Sequence, residues 1–265
     1  MANPFKTAKE LKREVPGWEE KSVRVIQKTL KTRLGLPSRC AAAKPLLTAP
    51  MVKKRLAFCK KYLAWTEEDW ENVMFSDESM FRLVNPRAQK VRRPSSVSRY
   101  LSKYTVKTVK HPASVMIWGC FSGRGGRGSL FFLPKNETMK ADQYMGVLED
   151  RLFPWMQMHH VSQFLQDGAP CHKAKRVMAL LATQDFTVMD WPGNSPDLNP
   201  IENLWSIMKR KLKDNQTITS MPLLQNAIKK MWVTDLKPNL FKKLAHSMPK
   251  RLRDCIANKG QMTKY

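Results

Sequence analysis

The chain is poor in acid. Against 47 lysines and arginines stand 22 aspartates and glutamates, a formal charge of +25 over 265 residues. That imbalance opposes self-association and favours a polyanionic partner, nucleic acid ahead of an anionic membrane. Long apolar runs are also missing. No uninterrupted stretch approaches the roughly 18 residues a spanning helix needs, and no signal-peptide pattern opens the chain, so a membrane protein is not expected. Cysteine is scarce: Cys40, Cys59, Cys120, Cys171 and Cys255 are odd in number and never spaced C-x-x-C. This argues against a disulfide framework or zinc knuckle and fits a reducing intracellular compartment. Cys171-His172 is the one adjacent ligand-type pair, and without a second pair it reads as loop beside a strand end.

What is present begins with a small helical module. Thr7 and Glu10 have capping-box spacing, opening a helix with Ala8, Leu11 and Val15 on one side, and Pro16-Gly17 breaks it. A second helix is expected from Ser22, with Val23, Ile26, Leu30 and Leu34 as an apolar stripe. Its other face carries Arg24, Gln27, Lys28, Lys31 and Arg33. A short basic helix behind a capped partner fits a helix-turn-helix DNA reader. It fits equally the solvated face of an ordinary helical hairpin.

Residues 41–50 read as a linker. Pro50 suits the first turn of the next helix, and Thr66 with Asp69 caps a short one after it. The periodicity then changes. Residues 71–84 and 114–123 are short apolar runs bounded by turn formers and are expected as strands; GRGGRG (123–128) followed by SLFFL is expected as a hairpin rather than an RGG-type RNA segment. Residues 141–156 are helical by spacing, VSQFLQD a strand, HKAKRVMALLATQ a helix and FTVMDW a strand, with mostly helix from Asn199 onward. The order predicts an α/β domain with a mixed sheet behind a small all-α module. Between the first strands, residues 86–112 hold eight Lys/Arg, no acid, and interleaved Tyr100 and Tyr104. Arg92, Arg93, Arg99 and Lys103 are its candidate phosphate contacts. A solvated charged face is the plainer alternative.

Three acids stand in unusual company. Along the first strand Val73, Phe75, Asp77 and Phe81 share one face, and Met74, Ser76, Glu78 and Met80 the other. An acid following Val-Met-Phe costs several kcal/mol if buried unpaired. Asp167 repeats the arrangement, after VSQFLQ and before Gly168-Ala169-Pro170. Glu202 lies in WPGNSPDLNPIENLW. With Asn199 as N-cap and Pro200 as first helical residue it takes the capping-box position. It also lies at the rim of the stripe Ile201, Leu204, Trp205, Met208 and Leu212, where a carboxylate can point along a sheet edge. Magnesium favours a few carboxylates plus substrate phosphate, and two such ions roughly 3.5–4 Å apart suit phosphodiester chemistry.

SDES, SVMIWGCFSG, FLQDGAPCHKAK, WPGNSPDLNPIENLW and the terminal LAHSMPKRLRDCIANKGQMTKY together resemble the Tc1/mariner transposases, specifically their Tc1-like branch. The likeness runs through nearly the whole chain, with the motifs in the family's order. It implies an RNase H-like, retroviral-integrase-type catalytic domain with a DDE triad. In the Tc1-like branch 34 residues separate the second Asp from the Glu, as 34 separate Asp167 from Glu202 here. The triad carries over to Asp77 from SDES, Asp167 from QDGAP and Glu202 from NPIENLW, as catalytic residues and ligands of Mg²⁺ (Mn²⁺ as substitute), with two ions expected. Glu78 and Asp197 also occur in the family motifs and are not its metal ligands. The resemblance further implies nuclear cut-and-paste transposition by cleavage and strand transfer at TA targets, on terminal inverted repeats in double-stranded DNA, as a homodimer or higher assembly. A DNA-binding protein of transposon origin with catalysis unused is the alternative. Residues 1–40 correspond to the second of the family's two helix-turn-helix modules, 41–50 to the link and 51–265 to the catalytic domain; the first module is not represented. Gly168 stands where the family commonly has Asn, and KVRRP lacks the usual Trp of that strand.

Overall fold

In a computed structural model, described at residues 3–39, 41, 44–83, 91–105, 112–135, 137–214 and 218–265, the chain forms two compact units, Met1–Lys44 and Pro45–Tyr265. In the first, α1 (Ala8–Glu14) starts at a complete capping box: the Thr7 hydroxyl accepts from the Glu10 N–H at 3.3 Å, and the Glu10 carboxylate accepts from the Thr7 N–H at 2.6 Å. Ser22 caps α2 (Val23–Thr32). Only Leu11 and Ile26 are buried among the described apolar side chains of this unit, and Leu34, expected on the stripe, is exposed. Two short helices have too little surface to cover a longer stripe.

The second unit opens with α3 (Ala49–Lys61), with Pro50 in its first turn, and α4 (Glu67–Glu71), capped reciprocally by Thr66 and Asp69. β1 (Val73–Arg82), β2 (Ser114–Ser122) and β3 (Gly126–Phe132) follow as an antiparallel meander. Gly126 at φ +76° lets the hairpin turn. At Gly128 a side chain would collide with Cys120 Sγ. These glycines serve the hairpin, as the sequence predicts, and an RGG segment is not what they form. A helical stretch comes next: α5 (Ala141–Val147), a π-helical turn (Leu148–Leu152) and α6 (Phe153–Met158). Pro154 has no N–H for the ladder, and the ladder widens ahead of it. β4 (Gln163–Leu165), α7 (Lys175–Ala182), β5 (Thr187–Val188), α8 (Ile201–Asp214) and α9 (Met221–Lys230) lead through a second π turn (Met231–Asp235) into α10 (Pro238–His246) and α11 (Met248–Ala257).

The sheet order is β3-β2-β1-β4-β5, with β4 and β5 parallel to β1. β4 and β5 are shorter than their apolar runs, three and two residues. Alternation along β1 sorts the core into two layers. Val73, Phe75 and Phe81 join Phe58, Trp205, Phe241 and Leu252 from the α3 and α8–α11 side. Met74, with Trp118 and Cys120 of β2, joins Tyr144, Leu148 and Val177 from the α5–α7 side. No helix among the described residues is long and apolar enough to cross a membrane.

Candidate active site

β1 outruns its parallel neighbour. The two pair only from Val73↔Gln163 to Phe75↔Leu165, and β4 then ends. Continuing that register by two residues sets Asp167 beside Asp77, on chains that are about 4.8 Å apart while paired. The Ser76 hydroxyl donates to the Leu165 carbonyl at 3.0 Å and holds the strands together at their last paired position. From Asp77 onward β1 pairs with β2 alone, Asp77 opposite Gly119 and Glu78 opposite Trp118. Asp77 therefore belongs to the α8 face and Glu78 to the α5–α7 face.

The start of α8 is tied to the same place. The Asn199 amide donates to the Ser76 carbonyl at 3.1 Å, and its oxygen accepts from the Ile201 N–H at 3.4 Å. The cap is as expected, although the regular helix starts at Ile201. Ile201, Leu204, Trp205, Met208 and Leu212 are buried, and Glu202 is half-buried at their rim. Its carboxylate makes no hydrogen bond within a capping box among the described residues, so Asn199 alone performs the capping.

The electrostatics follow from this crowding. Burial, then the carboxylates of Glu202, Glu78 and Asp167, push the Asp77 pKa well above the usual range, against a single stabilising backbone hydrogen bond at Glu78. Asp167 is half-exposed and shifted down: burial opposes its charge, and His172, the Ala169 N–H at 2.9 Å and Lys173 outweigh that opposition.

His172, two per cent exposed, joins this site although its sequence context gives it no such role. It places Nε2 3.2 Å from Glu78 Oε1 and Nδ1 2.7 Å from Asp167 Oδ1, the latter an ion pair off the line of the ring N–H. Burial disfavours its charge, yet these two carboxylates push its pKa up to about 10. Its ring lies on Tyr144 at a centroid distance of 4.0 Å, and the Tyr144 hydroxyl donates to Gln166 Oε1 at 2.6 Å. Cys171-His172 does lie in a loop after a strand, as its sequence predicts. The separation of five residues between His172 and Asp167 is the signal that could have found it.

Two carboxylates, Glu78 and Asp167, flank the buried His172, while Asp77 feels the charges of Glu202, Glu78 and Asp167, an acid-rich setting whose oxygen donors are of the kind a divalent cation takes. As placed, no three acid, histidine or cysteine side chains among the described residues stand close enough to hold a single ion; His172 Nδ1 stands 2.7 Å from Asp167 Oδ1. Of the candidate DNA contacts, Arg24, Gln27, Lys28 and Lys31 are all exposed along α2. Arg92, Arg99 and Lys103 are exposed and Arg93 half-exposed. Arg99 and Lys103 lie over Tyr100 and Tyr104 at 4.8 and 5.0 Å. The basic stretch at 84–90 and 106–111 lies outside the described residues.

Residues 72–225 match the family described as DDE superfamily endonuclease. Over 270 residues the chain is 32% identical to the transposable element Tc1 transposase of Caenorhabditis elegans, covering 99% of this chain and 96% of that one. The chain belongs to the Tc1-type DDE transposases. The Tcb1 transposase of Caenorhabditis briggsae is 34% identical over 249 residues, covering 90% of this chain and 88% of its own. Among solved structures, the mariner Mos1 paired-end complex with Mg superposes at TM-score 0.83 with 20% identity, covering 99% of this chain and 77% of that one. The Mos1 catalytic domain alone superposes at 0.66, covering 84% of this chain and all of that one. The likeness establishes the RNase H-like fold. The transposase is an α/β protein with the mixed sheet that the sequence predicts, here of five strands.

Proposed function

We propose that this transposase cleaves and rejoins DNA at the pocket formed by Asp77, Asp167 and Glu202, as a cut-and-paste enzyme acting on terminal inverted repeats and TA targets. One observation carries the reading: β1, the chain after β4 and the first turn of α8 meet where the parallel pairing ends, with Asp167 continuing the register beside Asp77 and Asn199 of the α8 start bonded to the Ser76 carbonyl, and there burial, then the charges of Glu202, Glu78 and Asp167, raise the pKa of Asp77. Bound Mg²⁺ or Mn²⁺, two ions in the full site, supplies a polarised water or 3′-hydroxyl and charge for the leaving oxygen. The residues supply the rest. Asp77 and Asp167 present oxygens from neighbouring chains at the end of the parallel pairing, and Glu202 presents one from the first turn of α8. Asp167 must turn from His172, whose Nδ1 stands 2.7 Å from its Oδ1, for the carboxylates to act together.

Residues 1–40 would read repeat sequence through Arg24, Gln27, Lys28 and Lys31, with 41–50 as link and 51–265 as catalytic domain. Arg92, Arg93, Arg99 and Lys103 would hold phosphates. Paired transposon ends require two active sites, hence a homodimer or larger assembly on DNA. Such a substrate places the protein in the nucleus, which a fluorescent fusion checks. Incubation with duplex DNA and Mg²⁺ or Mn²⁺ is expected to give nicking and joining, abolished by Asp167→Asn. Metal-dependent nicking unchanged by that substitution would falsify the assignment. A second reading, DNA binding with catalysis unused, draws on His172 holding Asp167 and Glu78; firm DNA binding with metal uptake and no turnover would establish it.

A further inference from the structure

We propose that the C-terminal tail is a positioning element for Glu202, acting through Asp197 and the first turn of α8; this rests on Glu202 being an acid of the active site. After α11, Lys259 at φ +51° and Gly260 at φ +79° reverse the chain, their N–H groups donating to the carbonyls of Ile256 and Cys255. A side chain at Gly260 would stand 2.9 Å from atoms of Val52 and Leu56, so the tail lies flush on α3 and only glycine fits.

The reversal delivers the Gly260 carbonyl to Arg55 Nε at 2.8 Å, and the Thr263 N–H and hydroxyl to Asp197 Oδ2 at 2.8 and 2.9 Å. Arg55 closes the arrangement with two bonds to Asp197, each 2.8 Å. From α11, Arg251 donates to the Asp197 carbonyl at 2.8 Å and to Asn203 Oδ1 at 2.5 Å. Asp197 precedes the Asn199 cap by two residues, and Asn203 follows Glu202 directly. The segment carrying Glu202 is therefore gripped at both ends by groups belonging to α3, α11 and the tail.

Buried ion pairs are a weak source of stability, because desolvation offsets their attraction. What this network supplies is direction, since each bond fixes an angle as well as a distance. Magnesium is strict about ligand geometry, so loosening the grip should appear in metal use before it appears in fold.

The test uses the full chain in single-turnover nicking of duplex DNA, titrated separately with Mg²⁺ and Mn²⁺, with circular dichroism and DNA affinity measured alongside. Thr263→Val removes the hydroxyl at nearly constant volume, and deletion of residues 261–265 takes away every tail group that reaches Asp197. Both are expected to keep their helical signal and DNA affinity. Nicking at limiting Mg²⁺ should fall about tenfold or more for the deletion, in line with the cost of small misplacements in a catalytic site. Half-saturating Mg²⁺ should rise in both variants, and Thr263→Ser should restore it. Partial unfolding alone would lower the amplitude and leave half-saturation in place. An unmoved Mg²⁺ half-saturation in Thr263→Val overturns the proposal, even if the deletion fails to fold. Glu202→Gln separates the two claims. If it nicks normally, the assignment of Glu202 and the tail proposal fall together; if it is inactive while the Thr263 variants match wild type, only the tail proposal falls.

Discussion

Asp77 and His172 belong to one cluster of charges and answer to pH in different windows. Asp77 has its pKa raised above 3.8, so the folded protein retains a proton that the unfolded chain has already released. Stability of the metal-free protein therefore falls as pH rises from 3.8 toward the raised value. His172 is raised from 6.5 to about 10, so its ion pairs contribute fully below 6.5 and are lost as pH climbs through about 10. Thermal melts in chelator across pH test both. Asp77→Asn should raise the melting temperature at neutral pH, by roughly 2–4 °C for each kcal/mol of relieved repulsion. His172→Gln should melt lower than wild type below pH 6.5 and converge with it near pH 10. Parallel profiles for wild type and His172→Gln would mean that the imidazole is not charged in the fold. At this scale Asp77 and Asp167 stand out in the sequence because an acid close behind Val-Met-Phe or Phe-Leu-Gln is expensive to bury, and Glu202 by its place at the rim of the apolar stripe of α8. His172 stands out less: its five-residue spacing from Asp167 is a local signal, but Glu78 lies 94 residues away and only the fold brings it there.

At the scale of elements, Asn199 joins α8 to β1, and its two bonds can be separated. Asn199→Ala loses both the cap and the tether to Ser76, at a cost of roughly 1–2 kcal/mol in urea unfolding. Asn199→Asp keeps an oxygen for the Ile201 N–H but has no amide for the Ser76 carbonyl, and it adds a negative charge near Asp77. It should recover part of the stability while nicking stays low. If nicking and stability instead recover together, the tether has no part in placing Glu202. Helix starts are readable because caps are local: Thr7, Ser22, Thr66 and Asn199 each bond within their own turn. Strand lengths are not. FTVMDW yields only Thr187–Val188, because β4 pairs with it only at Gln163 and Phe164, and a partner's length is not written in the strand's own residues. The capping-box position of Glu202 misleads for a related reason, since Asn199 takes the capping role through its own side chain.

For the whole molecule, the charge of +25 states the partner's sign and leaves open which cations touch it. Two exposed groups are expected to behave differently on DNA. Arg92, Arg93, Arg99 and Lys103 flank tyrosines in a segment without acids, the composition of a backbone-tracking surface. Neutralising them should weaken binding to every duplex alike and flatten the dependence of log K on log salt by about 0.9 for each phosphate no longer neutralised. Arg24, Gln27, Lys28 and Lys31 lie along one exposed face of a capped helix, the geometry of a major-groove reader. Alanine there should cost about 1–3 kcal/mol for each base edge left unbonded, at the cognate repeat and not at random DNA. Filter binding at several salt concentrations, with repeat and scrambled duplexes side by side, measures both quantities at once. If the α2 variants lose affinity equally for both duplexes, α2 is a solvated basic face, the plainer alternative its sequence allows. Sequence reading then has to come from elsewhere in the chain.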